Sequence, residues 1–304
     1  MEAHVNIITR TAALAIGLVA LVVPVLAQDI TITHAQGETT LSGVPQKVVS
    51  FDFAAIETLE ALGIEIAGLP GSNLPAHLEK YASDAYPKVG SLFEPDYEAL
   101  AALEPDLIIV AGRSSTAYPE LAKIAPTVDL SNDWANFYGS IKANAEIIGD
   151  IFGKQAEIDA LIAETDGKIA ATKAAAADAG KGLVVLTSGA EVTAYGPGSR
   201  FGFIHETLGV TPAIEDVEAA THGDAISFEF ILETNPDLLL VIDRDAATGQ
   251  GAAAAILDNE LVAETNAWKN EAVVYIDPVR AYIVNGGLIS FGIMADQITE
   301  ALSN

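Results

Sequence analysis

The chain has 304 residues, with 42 acidic against 15 basic side chains and a formal net charge of −27. That balance excludes nucleic acid as a partner, because its phosphates would be repelled. The lack of any cysteine excludes disulfides, thiolate metal sites, a cysteine nucleophile and a lipid-modified N-terminal cysteine.

A short polar stretch opens the chain, and an apolar run from Ala12 to Leu26 ends at the small residue Ala27. About fifteen apolar residues are too few for a membrane span, which needs about twenty. The pattern predicts a cleavable signal peptide over 1–27. The product is then expected in the periplasm of a two-membrane bacterium, without a lipid anchor. The remainder is long enough for two α/β lobes, expected over 28–153 and 181–304.

An ungapped internal repeat supports the two-lobe reading. YEALAALEPDLIIVAGR at 97–113 matches FEFILETNPDLLLVIDR at 228–244. Each copy reads as a short helix, a Pro-Asp turn, an apolar strand, and an arginine just past the strand. Unbroken apolar runs of this kind suit strands covered on both faces. A weaker echo pairs 47–63 with 182–209, each a strand followed by a helix that stops at Leu-Gly (Leu62-Gly63 and Leu208-Gly209). Between the lobes, 154–180 is rich in Ala, Glu and Lys, lacks proline and ends at Gly180. Ile158, Leu161, Ile162 and Ile169 share one face, which predicts a bridging helix and modest closure between the lobes.

Beyond the leader there are four arginines: Arg113, Arg200, Arg244 and Arg280. Arg113 and Arg244 occupy equivalent repeat positions, and Arg200 follows a turn-rich segment after the strand expected at 191–195. Ligands of open α/β sheets bind beyond the carboxyl ends of strands. Three guanidiniums converging there would make a positive pocket suited to a multiply charged anion. The plainer alternative pairs each with a surface carboxylate. His222 and Tyr282 sit in loops. Imidazole and phenol oxygen could ligate Fe(III), or the pair could be a cap and a packing residue. No Gly-x-Ser-x-Gly elbow, phosphate loop or dinucleotide loop is present, so an enzyme reading lacks a nucleophile and a cofactor site.

The leader, the doubled Pro-Asp strand unit, the bridging segment and Asp277-Pro-Val-Arg-Ala-Tyr282 together resemble periplasmic iron–siderophore-binding proteins of ABC importers. With Arg113, Arg200, Arg244, His222 and Tyr282, the chain looks like the branch that binds ferric catecholates of the enterobactin and bacillibactin type. The resemblance implies the class III fold, with two Rossmann-like lobes joined by a long helix. It implies a monomer that captures Fe(III) held by a tetradentate or hexadentate catecholate and passes it to an inner-membrane permease, with no permanently bound cofactor and no catalysis; the alternatives are a binder of haem, ferric hydroxamate or cobalamin, or a periplasmic enzyme on the same scaffold. Carried over, Arg113, Arg200 and Arg244 form the anion triad, and His222 and Tyr282 ligate iron. Arg280 is either a fourth cationic contact or a partner of Asp277. Glu98 and Glu229, at matching repeat positions, would dock on the permease; alternatively they are first-turn glutamates favoured by the helix dipole.

Overall fold

A computed structural model describes residues 29–215, 223–251 and 253–303, so the expected leader and His222 lie outside the described residues. After a hairpin of β1 (Ile30–His34) and β2 (Gly37–Leu41), the strands β3 (Val48–Ser50), β4 (Ile66–Gly68), β5 (Leu107–Val110) and β6 (Thr127–Asp129) form a parallel sheet in the order β4-β3-β5-β6. The later strands are β7 (Lys181–Ser188), β8 (Glu191–Tyr195), β9 (Thr211–Pro212), β10 (Asp224–Ile226), β11 (Leu238–Asp243) and β12 (Val273–Ile276). They run in the order β10-β8-β7-β11-β12, with β9 beside β7. Only β8 opposes its neighbours; the pairs β7–β11 and β11–β12 are parallel.

The apolar runs lie in strands covered on both faces. Along β5, Leu107 and Ile109 enter one core and Ile108 and Val110 another. Along β11, Leu238, Leu240 and Ile242 likewise face away from Leu239 and Val241. One of these cores is shared by both sheets, so the two α/β lobes are packed on common helices rather than hung on a linker.

The repeat has a physical basis. Helices Tyr97–Leu103 and Phe228–Thr234 are both seven residues long, capped at the start by Asp96 and Ser227. Both end at a left-handed residue, Glu104 (φ 50°) and Asn235 (φ 44°). The aspartate of each Pro-Asp turn then clamps the neighbouring strand. Asp106 accepts from the backbone N–H of Gln46 and Lys47, both at 2.8 Å, and Asp237 accepts from Lys181 N–H at 2.9 Å. Gly180 is required beside this clamp: it has φ 84°, and a Cβ would fall 2.4 Å from Asp237 Oδ2.

The long helix runs Gln155–Ala176, stopping short of the expected Gly180, and spans about 33 Å. Its buried stripe is Ile158, Thr165, Ile169, Thr172 and Ala176, while Leu161 and Ile162 are only partly covered. The threonines fit because each hydroxyl donates to the carbonyl four residues back, at 2.9 Å. Thr172 also meets Thr299 of the C-terminal helix Leu288–Leu302 at 2.9 Å. Among the described residues, no helix is long and apolar enough to cross a membrane.

Removing either clamp tests the repeat. Asp106→Ala and Asp237→Ala are each expected to cost about 1–2 kcal/mol, read as a lower urea midpoint with an unchanged slope.

Candidate functional site

The chain turns just past the carboxyl ends of several parallel strands enclose a cleft of about 380 Å³. Phe51 and Asp52 follow β3, Gly112 and Arg113 follow β5, and Asn132 and Trp134 follow β6. From the second sheet come Arg200, after β8, and Tyr282 and Asn285, after β12. The segment Val279–Val284 is a π-helical turn that ends at Asn285 in the left-handed region (φ 47°). Its last carbonyls have no onward helical partner, and the arginines supply one.

Arg113 Nη1 donates to the Ile283 carbonyl at 2.9 Å, and its Nη2 donates to the Tyr282 carbonyl. Arg200 Nη2 donates to that same Tyr282 oxygen at 3.1 Å. The Tyr282 ring lies 4.5 Å from the Arg200 guanidinium carbon, 5.8 Å from that of Arg113 and 5.7 Å from that of Arg244. Arg244 also donates to Ser188 Oγ at 2.8 Å and is exposed. The three guanidiniums lie around the Tyr282 ring; Arg113 and Arg200 line the cleft, and Arg244 is not among its lining residues.

The alternative of surface pairing does not describe them. Among the described residues, none of the three has a carboxylate within ion-pair distance. Their hydrogen-bond partners among the described residues are neutral carbonyl and hydroxyl oxygens, so no ion pair there neutralises the positive charge. Burial lowers the proton affinity of Arg113 and, with the repulsion of Arg113 added, that of Arg200. Arg200 Nε is buried with no hydrogen-bond partner among the described residues, as is Asn285 Oδ1. A buried donor of this kind favours an acceptor brought by a ligand.

Asp52 is the acid facing this cluster. It caps helix Phe53–Ala61 by accepting from Ala55 N–H at 3.0 Å. Burial pushes its carboxyl up to about 6, against the opposing pull of that N–H and of Arg113.

Arg280 is not brought to the cleft. Its Nη1 sits 3.2 Å from Glu57 Oε1 and 3.0 Å from Ser290 Oγ, and its Nε 3.4 Å from Asp277. The pairing with Asp277 is therefore the part of the sequence reading that describes it, with buried Glu57 as a partner the sequence did not suggest. Glu57 also accepts from Ser290 Oγ at 2.6 Å and meets His77 Nε2 at 2.6 Å. Glu98 and Glu229 are both exposed in first helical turns. His222 lies outside the described residues; among the described residues, no group of three His, Cys, Asp or Glu is disposed to hold a metal. Sequence reasoning missed Asp52, Phe93, Asn132, Trp134 and Asn285 as cleft residues. Only their positions just after strand ends could have signalled most of them.

A family model described as periplasmic binding protein matches residues 48–279. The petrobactin-binding protein YclQ of Bacillus subtilis is 41% identical over 90% of this chain and 89% of its own length. The ferric-anguibactin-binding protein FatB of Vibrio anguillarum is 36% identical over 92% and 89%. Among solved structures, YclQ superposes with TM-score 0.88, covering 91% of this chain and 99% of that one. The periplasmic catecholate-siderophore-binding protein VctP of Vibrio cholerae gives 0.84 at 33% identity, covering 89% and 99%.

The raised value of Asp52 makes a pH prediction. Ionised Asp52 destabilises the fold above pH 6, by up to about 3 kcal/mol; the cost shrinks as pH falls and is gone below about pH 4. Asp52→Asn keeps a capping side chain. It is expected to melt several degrees above the wild type at pH 7.5 and to coincide with it at pH 4, by circular dichroism.

Proposed function

The chain belongs to the periplasmic-binding-protein family, and from that premise we propose that it captures an anionic ferric catecholate siderophore in this cleft and delivers it to an ABC permease of the inner membrane. The observation that carries this reading is the set of three guanidiniums around Tyr282 with no carboxylate partner among the described residues, in a chain of net charge −27. A neutral ligand would leave that charge unmatched. A ferric catecholate offers several anionic oxygens at once, which forked guanidinium donors suit.

Fe(III) takes six hard donors, so a tetradentate bis-catecholate leaves two positions. Tyr282 supplies a phenolic oxygen at the centre of the cluster, and His222 completes the set. A hexadentate chelate uses the arginines alone. Arg280 acts from behind, holding the π-helical turn through Glu57 and Asp277. Glu98 and Glu229, one on each repeat and both exposed, meet cations on the permease. The family is one of binding proteins, and no bond is made or broken here beyond exchange of iron donors. The leader over 1–27 directs export, placing the mature chain in the periplasm, where its ligand arrives.

Titration with Fe(III) bound to a tetradentate bis-catecholate, followed by quenching of Trp134 fluorescence and by the visible band, tests the reading. Arg113→Ala and Arg200→Ala are each expected to weaken binding about 100-fold or more. Tyr282→Phe is expected to shift the charge-transfer band; an unmoved band removes its role as an iron ligand and leaves capture standing. Absence of binding by the wild type overturns the assignment.

A further inference from the structure

The cleft has a second wall that its charge does not explain. Phe93 is 59% exposed, the highest value for any large apolar side chain among the described residues, and it lines the cleft. Its exposure is built in. The turn from Gly90 to Pro95 is closed by a bridge between those two residues. Ser91 N–H donates to the Glu94 carbonyl at 2.9 Å, and Ser91 Oγ accepts from the N–H groups of Phe93 and Glu94 at 3.2 and 3.0 Å. Gly90 has φ 112°, and a Cβ there would fall 2.3 Å from the Glu94 carbonyl. Leu92 is buried beneath the turn, so Phe93 is held at its tip with the ring outward.

Trp134 forms another part of this wall. Its ring stacks on Phe137 at 5.2 Å and 20°, and Phe137 stacks on Phe203 at 5.3 Å. Phe203 in turn meets Phe291 of the C-terminal helix at 5.2 Å. A partly exposed indole backed by a column of buried rings is a fixed surface, and it loses little freedom when another ring lies on it. The cleft thus sets two aromatic groups alongside Arg113 and Arg200, with Arg244 beside the Tyr282 ring.

We propose that Phe93 and Trp134 form an aryl-recognition wall that makes the cleft select ferric chelates bearing aromatic rings over aliphatic ferric carboxylates of similar charge. This rests on the capture reading above and adds a specificity that the arginines cannot provide, since any chelate with several anionic oxygens, aromatic or aliphatic, satisfies them. Ring-on-ring contact of this kind contributes beyond simple area burial.

Calorimetric titration with two probes, Fe(III) bis-catecholate and Fe(III)–citrate, tests it. Phe93→Ala and Trp134→Ala are each expected to weaken the catecholate chelate about tenfold and to leave the citrate complex within about twofold. Phe93→Tyr and Trp134→Phe, which keep a ring, are expected to bind near wild type. Phe93→Ala is the safer variant, because the exposed ring supports no buried neighbour, whereas Trp134 belongs to the stacked column. Alanine variants that bind the catecholate chelate as tightly as wild type, or that lose both probes equally, overturn the wall while capture stands. A wild type that does not bind the catecholate chelate brings down both readings.

Discussion

Two guanidiniums, one carried by each sheet, meet on a single carbonyl oxygen. Arg113 follows β5 and Arg200 follows β8, yet both donate to the Tyr282 carbonyl at the end of a π-helical turn. A carbonyl carries no net charge, so it orients a cation without neutralising it. Had a carboxylate filled that place, the cleft would be an internal ion pair and indifferent to anions. This choice of partner keeps the site positive, fixes the Tyr282 ring among the cations, and ties the turns of the two sheets together.

That local positive charge has to survive in a strongly acidic protein. At physiological ionic strength the screening length is about 8 Å, so the acidic outer surface is felt weakly inside the cleft. Within the cleft the near groups decide, and the near acid is Asp52, whose burial pushes its carboxyl up to about 6. The desolvation that disfavours charge on Asp52 also disfavours it on Arg113 and Arg200. Binding an anion relieves the arginines, while Asp52 opposes it. The cleft is therefore balanced to favour ligands with several negative oxygens over those with one.

What the sequence revealed and what it hid have physical explanations. The doubled helix, Pro-Asp turn and strand could be read because each repeat is locally determined, from cap to left-handed stop to aspartate clamp. Arg113 and Arg244 were found through that repeat. Tyr282 was noted as a loop phenol and given an iron-ligand role by resemblance, and its central position between guanidiniums depends on a π-helical turn that no spacing rule indicates. The role of Arg280 was ambiguous because its buried partner, Glu57, lies 223 residues away. Phe93 was hidden for a different reason. An isolated phenylalanine in sequence reads as core, and only the pinned turn shows that it points outward. The bridging helix was foreseen, and Ile158 and Ile169 of its expected stripe are buried, but Leu161 and Ile162 are only partly covered and Thr165, Thr172 and Ala176 complete the buried face.

The same contacts bear on how far the cleft can open. Glu57, buried in the helix after β3, is bonded to Arg280 and Ser290 from the far end of the chain. Prising the two sheets apart at that point would strip Glu57 of Arg280 and Ser290 and leave it His77, and breaking a buried pair typically costs about 3–5 kcal/mol. The shared core and the arginine bonds to the Tyr282 turn would have to be given up as well. A wide hinge motion is therefore opposed by three separate sets of contacts, while small adjustments of an exposed side chain such as Arg244 are opposed by few. Such a cleft meets its ligand largely preformed, so little binding energy is spent on ordering the protein. Selectivity then rests on how well a rigid anion fits fixed cations and fixed rings, which is the discrimination a rigid metal chelate permits.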